Sequence, residues 1–386
     1  MVGCTDQADR RTGPTRGPSG LAFYQPPSPL TGNTHGDLIW IRDFPSTAAL
    51  PHAAKNLLLL YRSTNLHGAA IAISGILSVP PGNPPASGWP VITYAHGTSG
   101  IGTSCAPSLD TPDAPTHSID SYIVPALDRW VQNGWAVLRT DYEGLGTPGP
   151  HPYIIGVSEG RAVLDIVRAA KQADGTLSNR VVIAGHSQGG HAALWAAGLA
   201  PEWTPDIDVV GTVAFAPASH FREQLRPLIA TSSPTGVLGA VGMMAIRGVD
   251  VAYPQLQIPS LLSAQAKSLW PQTETACLVQ FQASDSFGGL PPNMYFAEHA
   301  DLAGLETALG DQNPGQLTIS TPALILQGGA DSIILPHWTE LLRQEFEANG
   351  SNVVLRVREN ADHGSIVVGE SFDEATAWIR ARFAKD

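Results

Sequence analysis

From Val91 to Phe215 the chain alternates short, almost wholly apolar runs with longer stretches in which apolar residues recur every three or four positions. The short runs, 91–95, 135–140, 181–184 and 209–215, have the length and β-branched content of buried strands. The longer stretches read as helices: 119–132, with Pro125 near its start; 159–171, with apolar positions at Val163, Ile166, Val167 and Ala170; and 191–197. The alternation resumes with a strand at 323–327, a helix at 338–348, a strand at 353–357 and a helix at 372–383. Such alternation predicts an α/β fold whose mostly parallel sheet is covered on both faces. Ahead of it, 37–42, 56–63 and 69–79 read as three further strands, closed by the break Pro80-Pro81-Gly82-Asn83-Pro84-Pro85.

Two stretches depart from this rhythm. Residues 1–34, rich in Pro, Gly, Thr and Arg, read as a poorly ordered leader without an apolar signal core. Val2-Gly3-Cys4 looks like the tail of a lipoprotein cleavage site, although a leader that happens to hold a cysteine is the plainer reading. Residues 217–320 interrupt the core, which comprises 35–216 and 321–386. Between Arg226 and Lys267 only Arg247 and Asp250 carry charge, and Met243 and Met244, half of the four methionines, lie there. So apolar a stretch does not face water throughout. It predicts a cap over the active site, with Met243 and Met244 as candidate substrate-binding residues, or a second structural layer with its own core; the two readings are compatible.

The chemistry starts where the strand at 181–184 runs into Gly185-His186-Ser187-Gln188-Gly189. A G-x-S-x-G sequence between a buried strand and a helix predicts a nucleophile elbow, which lifts the hydroxyl of Ser187 above the sheet. A serine needs a base, and the base an acid to orient it. In this architecture the chain order is nucleophile, acid, base. Asp331 lies in the turn after the strand at 323–327, while Asp285 and Asp311 fall inside the cap. His363 lies in the loop after the strand at 353–357. The other histidines, His186 and His191 among them, read as packing or local hydrogen-bonding residues. For the oxyanion, one donor is expected from the backbone N–H of Gln188. The second is expected from Thr98 in the loop His96-Gly97-Thr98-Ser99-Gly100, with Gly97 and Gly100 as alternatives.

Composition narrows the remaining choices. A net charge of −12, with four lysines against eighteen arginines, argues against a nucleic-acid partner. No apolar run approaches the ~18–20 residues of a membrane span. No C-x-x-C and no His pair flanking a Glu at helical spacing suggests a metal site, and no cofactor is implied. Gly144-Leu145-Gly146 lacks the third glycine of a dinucleotide fingerprint and reads as a tight loop. Three cysteines allow one disulfide with one left over. A Cys105–Cys277 bridge would tie cap to core; two buried thiols are the alternative.

Taken in order, His96-Gly97-Thr98-Ser99-Gly100, Cys105-Ala106-Pro107-Ser108, Asp141-Tyr142-Glu143-Gly144-Leu145-Gly146, His151-Pro152-Tyr153 and the elbow resemble the secretory lipase family of fungi and actinobacteria. The likeness runs from Phe23-Tyr24 to the C-terminus. It implies an α/β-hydrolase core with a helical cap, a triad of Ser187, Asp331 and His363, a bridge between Cys105 and Cys277, and export from the cell. The fungal members carry a carboxylate in the oxyanion loop, where this chain has His-Gly-Thr, so their oxyanion residue is not carried over. The reading that results is a serine carboxylic ester hydrolase acting on small-molecule or lipid esters. A lactonase or acyltransferase with the same triad, and more remotely a non-catalytic binding module, are the alternatives.

Overall fold

The computed structural model describes residues 13–384. Nine strands form one sheet: β1 (Leu38–Asp43), β2 (Lys55–Thr64), β3 (Ala70–Val79), β4 (Trp89–Ala95), β5 (Ala136–Thr140), β6 (Leu177–His186), β7 (Asp208–Phe215), β8 (Ala323–Gly328) and β9 (Val353–Arg358), in the order β1-β2-β3-β5-β4-β6-β7-β8-β9. The first three strands and the β3–β5 contact are antiparallel, and every pairing from β5 to β9 is parallel. Parallel strands need crossovers, and helices supply them. On one face lie α1 (Val124–Gln132) and α8 (Gly369–Phe383). On the other lie α2 (Gly156–Ala173), α3 (Gln188–Trp203) and α7 (Pro336–Ala348). Trp130, Phe215, Phe372 and Ile379 fill the first core, and Leu138, Val163, Val167, Ile183, Ala192 and Phe346 the second.

Two expectations change. The helix anticipated over 119–132 begins only at Val124; before it come a short turn of helix, His117–Asp120, and a 3₁₀ turn, Ser121–Ile123. Pro125 explains the boundary, since it lacks an N–H and sits comfortably only in a helix's first turn. The leader is corrected over its described part. Gly17 donates to the carbonyl of Ile41 at 2.9 Å, and the 3₁₀ helix Gly20–Tyr24 buries Phe23 and Tyr24. Two aromatic side chains give this Pro- and Gly-rich segment an anchor that its average composition conceals. Cys4 lies outside the described residues.

Between β7 and β8 the chain is helical, with α4 (Phe221–Ile229), α5 (Val237–Ala252) and α6 (Ala303–Gly310) joined by short helical turns. Leu225, Val249, Ile258, Phe281, Phe287, Tyr295 and Leu305 form its apolar core, which also takes in Ile101, Tyr153, Ile154 and Ile155 of the sheet domain. The two charges of the uncharged stretch neutralise each other, Arg247 pairing with Asp250 one helical turn on. At Gly248 α5 lies so close to the sheet domain that a methyl group would overlap the carbonyl of Tyr153. Among the described residues no single helix is long and apolar enough to cross a membrane.

Candidate active site

β6 ends at His186 and α3 starts at Gln188, so Ser187 alone makes the turn, at φ 59° and ψ −117°. That conformation is strained for a residue with a side chain, and the surroundings hold it. The Ser187 N–H donates to the carbonyl of Phe215 at 2.9 Å, and its own carbonyl accepts from the N–H groups of His191 and Ala218 at 3.1 and 3.2 Å. A Cβ on Gly185 would overlap the carbonyl of Gly189, and one on Gly189 that of Ala95. Both flanking glycines are therefore required by close packing of strand and helix.

Asp331 follows β8. One carboxylate oxygen accepts from the N–H groups of Ile333 and Ile334 at 2.8 and 2.9 Å, and the other faces His363 Nδ1 at 2.8 Å. Because that oxygen can only accept, Nδ1 carries the proton, and Nε2 is left to accept from Ser187 Oγ at 3.0 Å. Burial pushes the Asp331 carboxyl up, but the hydrogen bond and electrostatic attraction of the His363 ring and the two backbone donors outweigh it and hold it below the usual range. Asp362, next to His363, turns away and accepts from the N–H groups of Gly364 and Ser365.

The loop after β4 runs beside the elbow: a methyl group on Gly97 would stand 3.8 Å from Ser187 Cβ. Thr98 does not leave its hydroxyl free, since Oγ1 is 2.7 Å from the hydroxyl of Tyr153. The Gln188 amide points away from the turn, donating to Glu159 at 2.7 Å. The backbone N–H of Gln188 is the first of α3, and a helix's first N–H groups have no partner within it. The Cys105–Cys277 disulfide is present, with Cα atoms 5.4 Å apart. Met243 and Met244 lie in the core of the inserted layer with no exposed surface, so there they pack rather than form an open wall. Among the described residues no group of His, Cys, Asp or Glu is placed to hold a metal ion. A cavity of about 680 Å³ lies elsewhere, between Thr34, Arg62, Arg168 and Asp206, and includes none of Ser187, Asp331 and His363.

A buried cluster beneath the elbow was not anticipated. Glu159, fully buried in the first turn of α2, accepts from the Ile154 N–H at 2.8 Å and from Gln188, and lies 3.0 Å from His191 Nδ1. His191 Nε2 faces the carbonyl of Gln312, at the end of the inserted layer, at 2.9 Å. The one sequence signal was an acidic residue on the buried side of an apolar helix.

A model of the secretory lipase family matches residues 115–386. The chain belongs to the secretory lipase family. It is similar to Lipase A of Moesziomyces aphidis, 29% identical over 283 residues, which are 70% of this chain and 56% of that protein. It thus spans just over half the length of that relative. A Mycobacterium tuberculosis protein named as a probable inactive lipase is 26% identical over 380 residues, 95% of this chain and 82% of that one. Among solved structures, Candida antarctica lipase A in its closed state superposes with a TM-score of 0.79 at 22% identity, covering 93% of this chain and 85% of the other. The rice cell wall degrading esterase LipA of Xanthomonas oryzae gives 0.68 at 18%, covering 91% and 97%. The fold of this family member is the α/β-hydrolase fold.

Proposed function

We propose that this chain is a serine carboxylic ester hydrolase that works through an acyl-enzyme. The observation that carries the reading is the continuous relay Ser187 Oγ–His363–Asp331, with contacts of 3.0 and 2.8 Å, mounted on a strained turn. Ser187 Oγ attacks the ester carbonyl while His363 Nε2 takes its proton. Asp331 orients the imidazole and stabilises the imidazolium without taking the proton itself. The tetrahedral oxyanion is held by the N–H of Gln188 and by an N–H of the loop at Gly97 and Thr98. His363 then protonates the departing alcohol, and water, activated by the same base, releases the acid.

The inserted segment 217–320 serves as the cap that selects the ester. Its mutually neutralised Arg247 and Asp250 leave a stretch suited to apolar acyl groups. Each methylene buried there is worth up to ~0.8 kcal/mol, so specificity rises with chain length until the pocket is full. Export fits the family and the disulfide, a bond that persists in oxidising compartments. A panel of esters from acetate to long-chain triglyceride, with lactones included, tests the reading: hydrolysis of apolar esters supports it, and turnover of lactones alone would replace it by the lactonase alternative.

A further inference from the structure

His186 belongs to the elbow sequence, yet its side chain reaches the other end of the triad. His186 Nε2 lies 2.8 Å from the backbone carbonyl of His363, and its Nδ1 2.7 Å from the hydroxyl of Tyr122. A carbonyl only accepts, so Nε2 carries the proton; Nδ1 then accepts from the Tyr122 O–H. One tautomer satisfies both contacts. The residue is 4% exposed, and burial, reinforced by the nearby His363 ring, depresses its pKa to about 3. Its ring stands 4.7 Å, centroid to centroid, from the ring of His363. A neutral neighbour at that distance leaves His363 free to take a proton, where a second cation would oppose it. Among the described residues, His186 is the one hydrogen-bond partner of the His363 backbone. Tyr122 can reach the elbow because it sits in the 3₁₀ turn Ser121–Ile123 rather than in α1.

We infer that His186, held in its Nε2–H tautomer by Tyr122, is a positioning residue for the catalytic base: it ties the carbonyl of His363 to the strand end that presents Ser187. The inference rests on the ester-hydrolase reading above. Nucleophile and base come from segments 176 residues apart, and the N–H···O bond from His186 fixes the base relative to the residue next to the nucleophile. A displacement of the base by about 1 Å is enough to cost on the order of 10²-fold in rate.

The experiment compares four full-length proteins, wild type, His186→Phe, His186→Gln and Tyr122→Phe, by kcat and KM on a short p-nitrophenyl ester and by rate of inactivation with an alkyl phosphonate. His186→Phe keeps a flat ring but no donor, and kcat and the inactivation rate should both fall about 10- to 100-fold with KM within about twofold. His186→Gln returns an N–H donor and should recover kcat to within about threefold of wild type. Tyr122→Phe frees the imidazole to adopt the wrong tautomer and should give an intermediate loss in kcat; it carries the test alone if His186→Phe does not fold. Wild-type kcat in both His186→Phe and Tyr122→Phe, a rise confined to KM, or equal loss in the Phe and Gln variants overturns the inference. Failure of the wild type to be inactivated at all would instead overturn the ester-hydrolase reading.

Discussion

The N–H of Leu278 donates to the carbonyl of Ser99 at 2.9 Å, joining the inserted layer to the loop that borders Ser187. Ile101 repeats the link by donating to the carbonyl of Ala276 at 3.1 Å, and the Cys105–Cys277 bond lies beside both. The inserted layer and the loop after β4 are thus fastened by backbone pairing as well as by a covalent bond.

The disulfide should therefore contribute stability rather than activity. It closes a loop with a sequence separation of 172, for which chain entropy gives on the order of 3–5 kcal/mol before any strain is subtracted. Cys105→Ser should lower the denaturant midpoint accordingly while the folded fraction keeps its kcat, because the backbone links remain. An unchanged midpoint, or a non-reducing peptide map with both thiols free in protein from an oxidising compartment, would contradict this.

Glu159 should be among the costliest polar residues to truncate. Glu159→Ala strands the Ile154 N–H, the Gln188 amide and the His191 ring in a site without water access, and breaking a buried charged cluster costs about 3–5 kcal/mol. Equilibrium unfolding in urea measures the loss; a change below about 1 kcal/mol would mean the cluster relaxes around the gap.

Met243→Ala should behave as a core truncation, destabilising by about 2–5 kcal/mol, with the ratio of long- to short-chain ester hydrolysis retained in the folded protein. A shift in that ratio without loss of stability would restore Met243 to the acyl site. Its complete burial argues for the first outcome.

The pH dependence of stability can be read at His186 through the difference between His186→Gln and wild type. The folded pKa of about 3 lies below the ordinary value of 6.5, so between these limits the unfolded chain binds the extra proton. Acidification through this window therefore destabilises wild type by up to about 1.4 kcal/mol per pH unit, a penalty that His186→Gln lacks. Relative to wild type, the variant should gain stability as pH falls from 6.5 toward 4, measured by urea unfolding at each pH. A difference independent of pH would show that His186 is not held neutral.

Much of this was legible in the sequence for a definite reason. Strands β4 to β8 are covered on both faces, so their apolar runs stand out. Ser187, Asp331 and His363 sit directly beyond the ends of β6, β8 and β9, where a strand-by-strand reading looks for them. Within the inserted layer, helices such as Ile258–Leu261, Ala264–Leu269 and Leu278–Phe281 have only four to six residues, too few for a periodic pattern to register. At Glu159, the head of the helix read over 159–171, nothing in the sequence names its partners, because Gln188, His191 and the Ile154 N–H come from other segments. The contact of His186 with His363 has the same character. Neither residue carries a signature until the chain has brought distant pieces together.

The most direct test of the central claim is covalent labelling of the native protein with a fluorophosphonate, followed by peptide mass spectrometry and ester assays on Ser187→Ala. The account predicts stoichiometric label on Ser187 alone, and a loss of about 10⁵–10⁶ in turnover in a variant that still folds. A label on another serine, no label on folded protein, or a tenth of the activity left in Ser187→Ala would contradict it.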